Sequence, residues 1–370
     1  MIRIDEIYDH TFWPYIQSKI PLTRLFYCFP FGHTSPDNLL NIGNTQDQAN
    51  FIYCHDQEPV YHDVHDPLFS SLRVRNQDLN FGHGPRHTAF ITSEINSDSV
   101  TQVCSKYKWT PYYYFFHGWA ALDWYRGYDR SFLVQPAESR SPTKTFFSAN
   151  RIISGHRLHR IIMMYHLIRR ECLDGYFSLP QYCPDSDQSM DQLTLGLRDQ
   201  FPDIAAVMSK ITLPANLPGE TDHPMHSCWL SQFESTADSF CYIVTETVAT
   251  GAKLHLTEKI FRPICLQMPF VLVGTAGSLA YLRSYGFQTF GDFWDESYDA
   301  EQDDLKRIDK VSGVIDYLQN LGPTERQKMH RALLPIIKHN FNHFYSGSFE
   351  KILWAELTGM LSRLEKNFAE

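Results

Sequence analysis

A chain of 370 residues, 43% hydrophobic and 20% charged, is long enough for two domains of ordinary size and too apolar for wholesale disorder. Its formal net charge of −9 argues against general binding to a polyphosphate, which draws on a basic surface. No run reaches about 18 uninterrupted apolar residues, so no membrane-spanning helix is expected.

The opening stretch MIRIDEIYDHTFWPYIQ is acidic and lacks an apolar core, so it does not read as a secretory signal. Cysteines at Cys28, Cys54, Cys104, Cys172, Cys183, Cys228, Cys241 and Cys265 follow no CxxC spacing. They predict buried thiols in a reduced, cytoplasmic protein. Four short runs, RLFYCFPF, ANFIYCHD, TAFITSE and PYYYFFHG, then read as buried strands, the last ending at His117–Gly118.

Asp56 and Glu58 stand two apart after the second run, and in an extended stretch both project the same way. The other reading of the pair is a solvated acidic loop. The surrounding CHDQEPVYHDVHD adds His55, His62, Asp63, His65 and Asp66. No second pair with ligand spacing follows, so a polar loop lining a cleft is preferred to a metal site. Glu94 closes the third run. Trp119, Asp123, Trp124, Tyr125 and Arg126 suit either core packing or stacking on an acceptor, and His117 and Trp124 are the two placed near a cleft.

The Pro/Ser-rich stretch Val134–Lys144 reads as a linker. It divides the chain into residues 1–137, residues 138–345, and a closing segment 346–370. KTFFSANR predicts a strand ending in a polar loop. SGHRLHRIIMMYHLIRRECL predicts a helix with Ser154 as its cap and Leu158, Ile161, Ile162, Tyr165, Ile168 and Cys172 on one face. A helix-like segment spans Ser189–Phe201. The Asp185-Ser186-Asp187 triplet before it has the form of a metal–nucleotide motif, but no strand leads into it, so it reads as a solvated loop.

SFCYIVTET is a further strand, and HLTEKIFRPICLQMPFVLVG (His255–Gly274) reads as loop, helix and strand. Thr257 caps the helix. Glu258 suits the positive helix end, but Lys259 does not unless it faces an anion. That conflict suggests a bound phosphate, with Glu258 accepting from sugar hydroxyls; the alternative is an ordinary surface Glu–Lys pair. Pro263 removes one helical hydrogen bond and predicts a kink or a short helix. TAGSLAYLRSYG predicts a helix closing at Gly286. Phe349, Ile352, Leu353, Leu357, Met360, Leu361 and Leu364 share one face of a final amphipathic helix.

Alternating strands and helices predict an α/β fold, arranged as two facing Rossmann-like domains with a C-terminal closing helix and a cleft at the strand ends. GxGxxG, GxxxxGK[ST] and GxSxG are absent, so dinucleotide, P-loop and serine-hydrolase readings lose their support.

LTEKIFRPICLQMPFVLVG resembles the donor-binding signature of fucosyltransferase-like glycosyltransferases: Thr-Glu-Lys, an apolar helix, Pro, a valine-rich strand and Gly. FFSANRIISGHR (Phe146–Arg157) is similar to that family's strand, Ser-Asn-type loop and downstream Arg. FIYCHDQEPVY (Phe51–Tyr61) is similar to its acceptor-domain strand and Glu-Pro-type loop. The resemblance implies a GT-B fold and a nucleotide-diphosphate sugar as donor, with no metal and no other cofactor. It implies Lys259 and Arg157 on the diphosphate and Glu258 on the ribose, with Asn150, Glu246 and Thr257 on the same donor side. Glu58 is implied as the carboxylate base, with Asp56 beside it. His255 stands where the family has an aromatic residue, so the donor's sugar and base stay open.

The function expected is transfer of a sugar to a hydroxyl acceptor with inversion, a glycan being favoured over a hydroxylated base in nucleic acid. A nucleotide- or sugar-binding module without turnover, and a metal-dependent hydrolase built on His55–Asp66, are the readings from other classes.

Overall fold

The computed structural model describes residues 7–20, 23–27, 50–60, 87–183, 186–220 and 228–369. The chain divides into two compact units, Met1–Asp123 with Glu350–Glu370, and Trp124–Phe349. Each is α/β, built on a four-stranded parallel sheet. His62, Asp63, His65, Asp66 and Asp185 lie outside the described residues.

In the first unit a short helix α1 (Trp13–Lys19) precedes strands β1 (Thr23–Tyr27), β2 (Asn50–His55), β3 (Thr88–Thr92) and β4 (Thr110–Tyr113). The strands pair in sequence order. β2 and β3 are buried along their whole length, which is why they read as unbroken apolar runs rather than alternating ones. Helix α2 (Asp98–Tyr107) starts where the Ser97 hydroxyl accepts from Val100 N at 3.3 Å. It ends at Lys108 in the left-handed conformation (φ 57°). Its Val100, Val103 and Cys104 pack with Phe51, Tyr53, Phe90 and Trp109.

The fourth strand stops at Tyr113, and His117–Gly118 lie in helix α3 (Phe116–Trp124) rather than at a strand end. Every residue from Phe116 to Asp123 is buried. A segment apolar on all sides carries neither a two- nor a 3.6-residue period, so its sequence cannot tell strand from helix. The predicted final helix forms over Ser348–Ala369, with Phe349, Leu353, Leu357, Met360, Leu361 and Leu364 fully buried and Ile352 half-buried. Each such Leu stabilises the fold by about 1.5–3 kcal/mol. The helix is keyed to the first unit by the Glu356 carboxylate, which accepts from Phe115 N at 2.6 Å, and by Asn367 Nδ2 donating to Tyr112 Oη at 2.8 Å.

The second unit opens with folded loop. The Pro/Ser-rich stretch Val134–Lys144 lies inside this unit, because buried Arg140 ties it down by donating to the Gln135 carbonyl at 3.1 Å and to that of Leu266. β5 (Lys144–Ser148) follows. Helix α4 (His159–Arg169) begins later than its periodicity suggests. A 3₁₀ turn at Gly155–Arg157 intervenes, with Gly155 in the left-handed region (φ 59°). Ser154 therefore does not cap α4; its hydroxyl meets Cys183 Sγ at 3.2 Å.

β6 (Gly175–Phe177) and a two-strand antiparallel ladder, β7 (Tyr182–Cys183) with β8 (Gln188–Ser189), come next. Helix α5 (Met190–Leu195) starts on a Ser189–Gln192 capping box. It stops at Gly196 instead of reaching Phe201. Short helices α6 (Ile204–Met208) and α7 (Phe233–Ala237) lead to β9 (Ser239–Thr245), α8 (Glu258–Cys265), β10 (Phe270–Val273) and α9 (Ser278–Ser284). Two long helices, α10 (Asp304–Gln319) and α11 (Pro323–Tyr345), complete the unit. Pro263 falls in the second half of α8, which is short as expected, eight residues long.

The sheet order β10-β9-β5-β6 decides where a ligand site can form. From the central pair β5/β9, the crossover through α4 runs outward to β6 and the crossover through α8 runs outward to β10. Right-handed crossovers running in opposite directions put their helices on opposite faces. Accordingly α4 packs with α6 and α10, while α8 packs with β9 and α11. The chain parts at the carboxyl ends of β5 and β9, which is the switch point where open α/β sheets bind ligands.

Among the described residues, no helix is long and apolar enough to cross a membrane. No disulfide forms among them either, and Cys54, Cys104, Cys172, Cys183, Cys241 and Cys265 are buried.

Candidate functional site

Glu246 follows directly on β9 and its side chain is fully buried. One carboxylate oxygen accepts from Thr257 Oγ1 at 2.5 Å, Thr257 N at 3.2 Å and Thr247 N at 3.3 Å. The other, Oε1, has no hydrogen-bond partner among the described residues. Burial raises the Glu246 pKa; the Lys259 charge and the Thr257 hydrogen bond act against it, and Glu258 adds to it. The carboxylate thus joins the end of β9 to the residue that starts α8.

Thr257 is the N-cap of α8, its hydroxyl accepting from Lys259 N at 3.4 Å. Neighbouring helical residues do not normally face one another. Here Lys259 folds back over the helix start, so that its Nζ lies 2.8 Å from Glu258 Oε1, 3.2 Å from Thr247 Oγ1 and 3.3 Å from Thr257 Oγ1. Glu258 and Lys259 do form an ion pair, but not a surface one. Their side chains are 6% and 30% exposed. A cation is therefore held against the positive end of a helix, beside a buried carboxyl, at the switch point of the sheet.

Asn150, two residues beyond β5, is brought to the same place. Its Oδ1 accepts from Thr245 Oγ1 at 2.6 Å and its Nδ2 donates to Ser148 Oγ at 3.2 Å, so the side chain is spent in joining β5 to β9. Arg157 lies half-buried in the 3₁₀ turn before α4. Its charge reaches His156, whose pKa is lowered by partial desolvation first, then by Lys253 and then by Arg157. The charges of Arg157 and of Lys253, the latter from the β9–α8 loop, thus both act on one imidazole.

Sequence reasoning missed His159, Arg160 and Lys253. His159 Nε2 donates to the Glu246 carbonyl at 3.0 Å, and burial, then the Arg160 charge, brings its pKa down to about 3, so the ring is neutral. Arg160 donates to the carbonyls of Ile152 at 2.7 Å and Thr245 at 3.2 Å. Together they hold the carbonyls of Thr245, the last residue of β9, and of Glu246 after it. For Arg160 the signal was present: it stands at a helix N-terminus, where a cation is locally unfavourable. The argument applied to Lys259 applies equally to Arg160. Lys253 carried no comparable signal.

The residues expected in the first unit are placed as follows. Asp56 is fully buried, and its Oδ2 accepts from Tyr114 Oη and from Cys54 Sγ at 3.1 Å. Glu58 is half-buried. Both lie beyond the end of β2 at His55, and the chain bends at Gln57–Glu58, so strand alternation does not govern the pair. His117 is buried, with Nε2 donating to the Gln57 carbonyl at 2.7 Å. Glu94 is buried and accepts from Val60 N. These groups gather at the carboxyl ends of β2, β3 and β4. Trp124 is half-buried and belongs to the second unit. Trp119 and Tyr125 are core residues.

Asp187, the described end of the acidic triplet, accepts from Tyr182 Oη at 2.7 Å in an exposed turn. No group of three or more His, Cys, Asp or Glu residues suited to a metal ion occurs among the described residues. No protein-family model, curated protein or solved structure matches the chain.

Proposed function

We propose that this chain is a glycosyltransferase that moves a sugar from a nucleotide-diphosphate sugar to a hydroxyl acceptor, without a metal and with inversion. One observation carries the reading: Lys259 is folded over the N-terminus of α8, next to the buried Glu246 carboxyl, at the carboxyl ends of β5 and β9. Helix N-termini favour phosphate, and a switch point is where an α/β sheet receives a nucleotide. Departure of a nucleoside diphosphate needs positive groups around the leaving oxygens. Lys259 and Arg157 fill that role, and Lys253 adds a third cation. Glu258 is the group for a ribose hydroxyl, released from Lys259 when phosphate takes the ammonium.

Glu58 is the better candidate for the base that takes the acceptor's proton. It is half-buried, whereas the Asp56 carboxylate is enclosed and already accepts from Tyr114. The GT-B arrangement of two facing Rossmann-like domains, a cytoplasmic setting and a glycan acceptor belong to this reading through the family resemblance.

The test is a panel of nucleoside diphosphates and their sugars, read by thermal shift and by release of nucleoside diphosphate. At least one ligand is expected to raise the apparent Tm, since it binds only the folded state. Release should persist in chelator. Lys259→Met should weaken binding about tenfold to a hundredfold, the worth of one charge-assisted hydrogen bond. Unchanged binding by Lys259→Met, or no response to any nucleoside diphosphate, removes the reading. Binding without release over a broad acceptor panel replaces it with a non-catalytic binding protein.

A further inference from the structure

The amino ends of β5 and β9 hold a second place where charge and space meet. A cavity of about 380 Å³ there is lined by Arg140, Thr143, Phe240, Thr324, Arg326 and His330, among others. Arg140 and Thr143 lead into β5, and Phe240 is the second residue of β9, so the cavity lies at the end of the sheet opposite Glu246.

Its cations lack full compensation. Arg140 is 7% exposed and donates only to carbonyls, those of Gln135 and Leu266; it meets no carboxylate among the described residues. Burial lowers its pKa to about 10, as expected of a desolvated cation without a counter-charge. Arg326 Nη1 lies 3.6 Å from Asp174 Oδ2. That carboxylate already accepts from Thr145 at 2.7 Å and Lys144 at 3.2 Å; Arg326 Nη2 donates to the Leu321 carbonyl at 3.5 Å, and its Nε has no partner among the described residues. His330 is 6% exposed; its Nε2 donates to the Ala137 carbonyl at 2.8 Å and its Nδ1 has no partner among the described residues.

The neighbouring acids are engaged. Asp238 accepts from Thr143 N and Oγ1 at 3.0 and 2.8 Å and from Tyr176 at 2.8 Å, and Glu138 pairs with Lys338 at 3.2 Å. The first turn of α11, a 23-residue helix, carries one acid, Glu325, whose carboxylate is engaged by Gly322 N at 3.0 Å; the Thr324 and Glu325 N–H groups of that turn have no intrahelical acceptor.

Two guanidinium groups and a helix N-terminus call for a dianion with several acceptor oxygens, which is the chemistry of phosphate. The volume falls in the range of about 300–1,000 Å³ typical of small-molecule sites, and Phe240 offers an apolar wall. We propose that this cavity binds a small phosphomonoester, with its phosphate on Arg140, Arg326 and the first turn of α11 and its organic body against Phe240.

Calorimetric titration of the full chain with ribose phosphate, glycerol phosphate, inorganic phosphate and ribose tests it. A phosphomonoester should bind, inorganic phosphate more weakly, and ribose not at all. Thr324→Glu places a carboxylate in the first turn, where the helix favours it, so this variant is expected to fold. It should weaken phosphomonoester binding at least about tenfold without lowering the Tm; Arg326→Met, which also gives up the Asp174 pair, should weaken binding by as much. Lys259→Met should leave this binding unchanged, which separates it from the nucleotide site. No heat with either phosphomonoester, equal affinity for inorganic phosphate, or wild-type binding by both cavity variants overturns the proposal.

Discussion

Replacing Glu246 tests whether the end of β9 and the start of α8 are held together by one buried carboxylate. Glu246→Ala removes the acceptor for Thr257 Oγ1 (2.5 Å), Thr257 N (3.2 Å) and Thr247 N (3.3 Å). Both threonines are buried, so water does not readily replace the lost oxygen. The hydroxyl can turn to another acceptor, but the two N–H groups cannot. Each stranded donor costs about 1–3 kcal/mol. Against this, the substitution relieves the burial of a charge, which the raised pKa of Glu246 records. The net loss expected is about 2–4 kcal/mol, a fall in Tm of roughly 5–15 °C for a unit of this size.

Glu246→Gln separates the two terms, since it keeps a carbonyl oxygen for Thr257 and removes the charge. A carboxyl whose folded-state pKa is raised contributes stability that is fully present below the ordinary carboxyl range. That contribution is lost as pH rises through the folded-state value. The glutamine does not titrate, so its stability relative to wild type should improve as pH rises from about 4 to about 8. Urea unfolding followed by circular dichroism at several pH values measures both effects. A Glu246→Ala protein within about 0.5 kcal/mol of wild type, or a flat gap for Glu246→Gln, refutes the reasoning.

Two further substitutions probe the scaffold. A Cβ on Gly175 would lie 2.1 Å from the Phe146 carbonyl oxygen, so Gly175→Ala should cost about 3 kcal/mol or more in urea unfolding by prising β6 from β5. Tyr114→Phe takes a hydroxyl donor from the buried Asp56 carboxylate and should cost about 1–3 kcal/mol by the same measurement, with no change in nucleotide binding to the second unit.

Much of the scaffold was legible because its signals are local. β2, β3, β5, β9 and β10 appear as apolar runs of strand length, and the final helix appears as a 3.6-residue period over Phe349–Leu364. Thr257 declares its cap by residue type and place. Lys259 was singled out by a local conflict between its charge and a helix end, and the structure shows that ammonium held by Thr247, Thr257 and Glu258. Reading failed where period or polarity was ambiguous. Phe116–Asp123 is buried on every side, and Gly155 turns the chain before a helix whose periodicity begins earlier in the sequence.

By itself, the sequence determined the α/β class, the strand runs and the cap–acid–base triplet at residues 257–259, since these rest on composition, period and nearest neighbours. Only the tertiary structure decided that the central strands are β5 and β9, that Asn150 and Glu246 meet at their carboxyl ends, and that Arg140, Arg326 and His330 surround one cavity. The physical reason is sequence separation. Asn150 and Thr245 are 95 residues apart when they share a hydrogen bond. No local propensity encodes a partner at that distance; strand order, set by packing of whole elements, does.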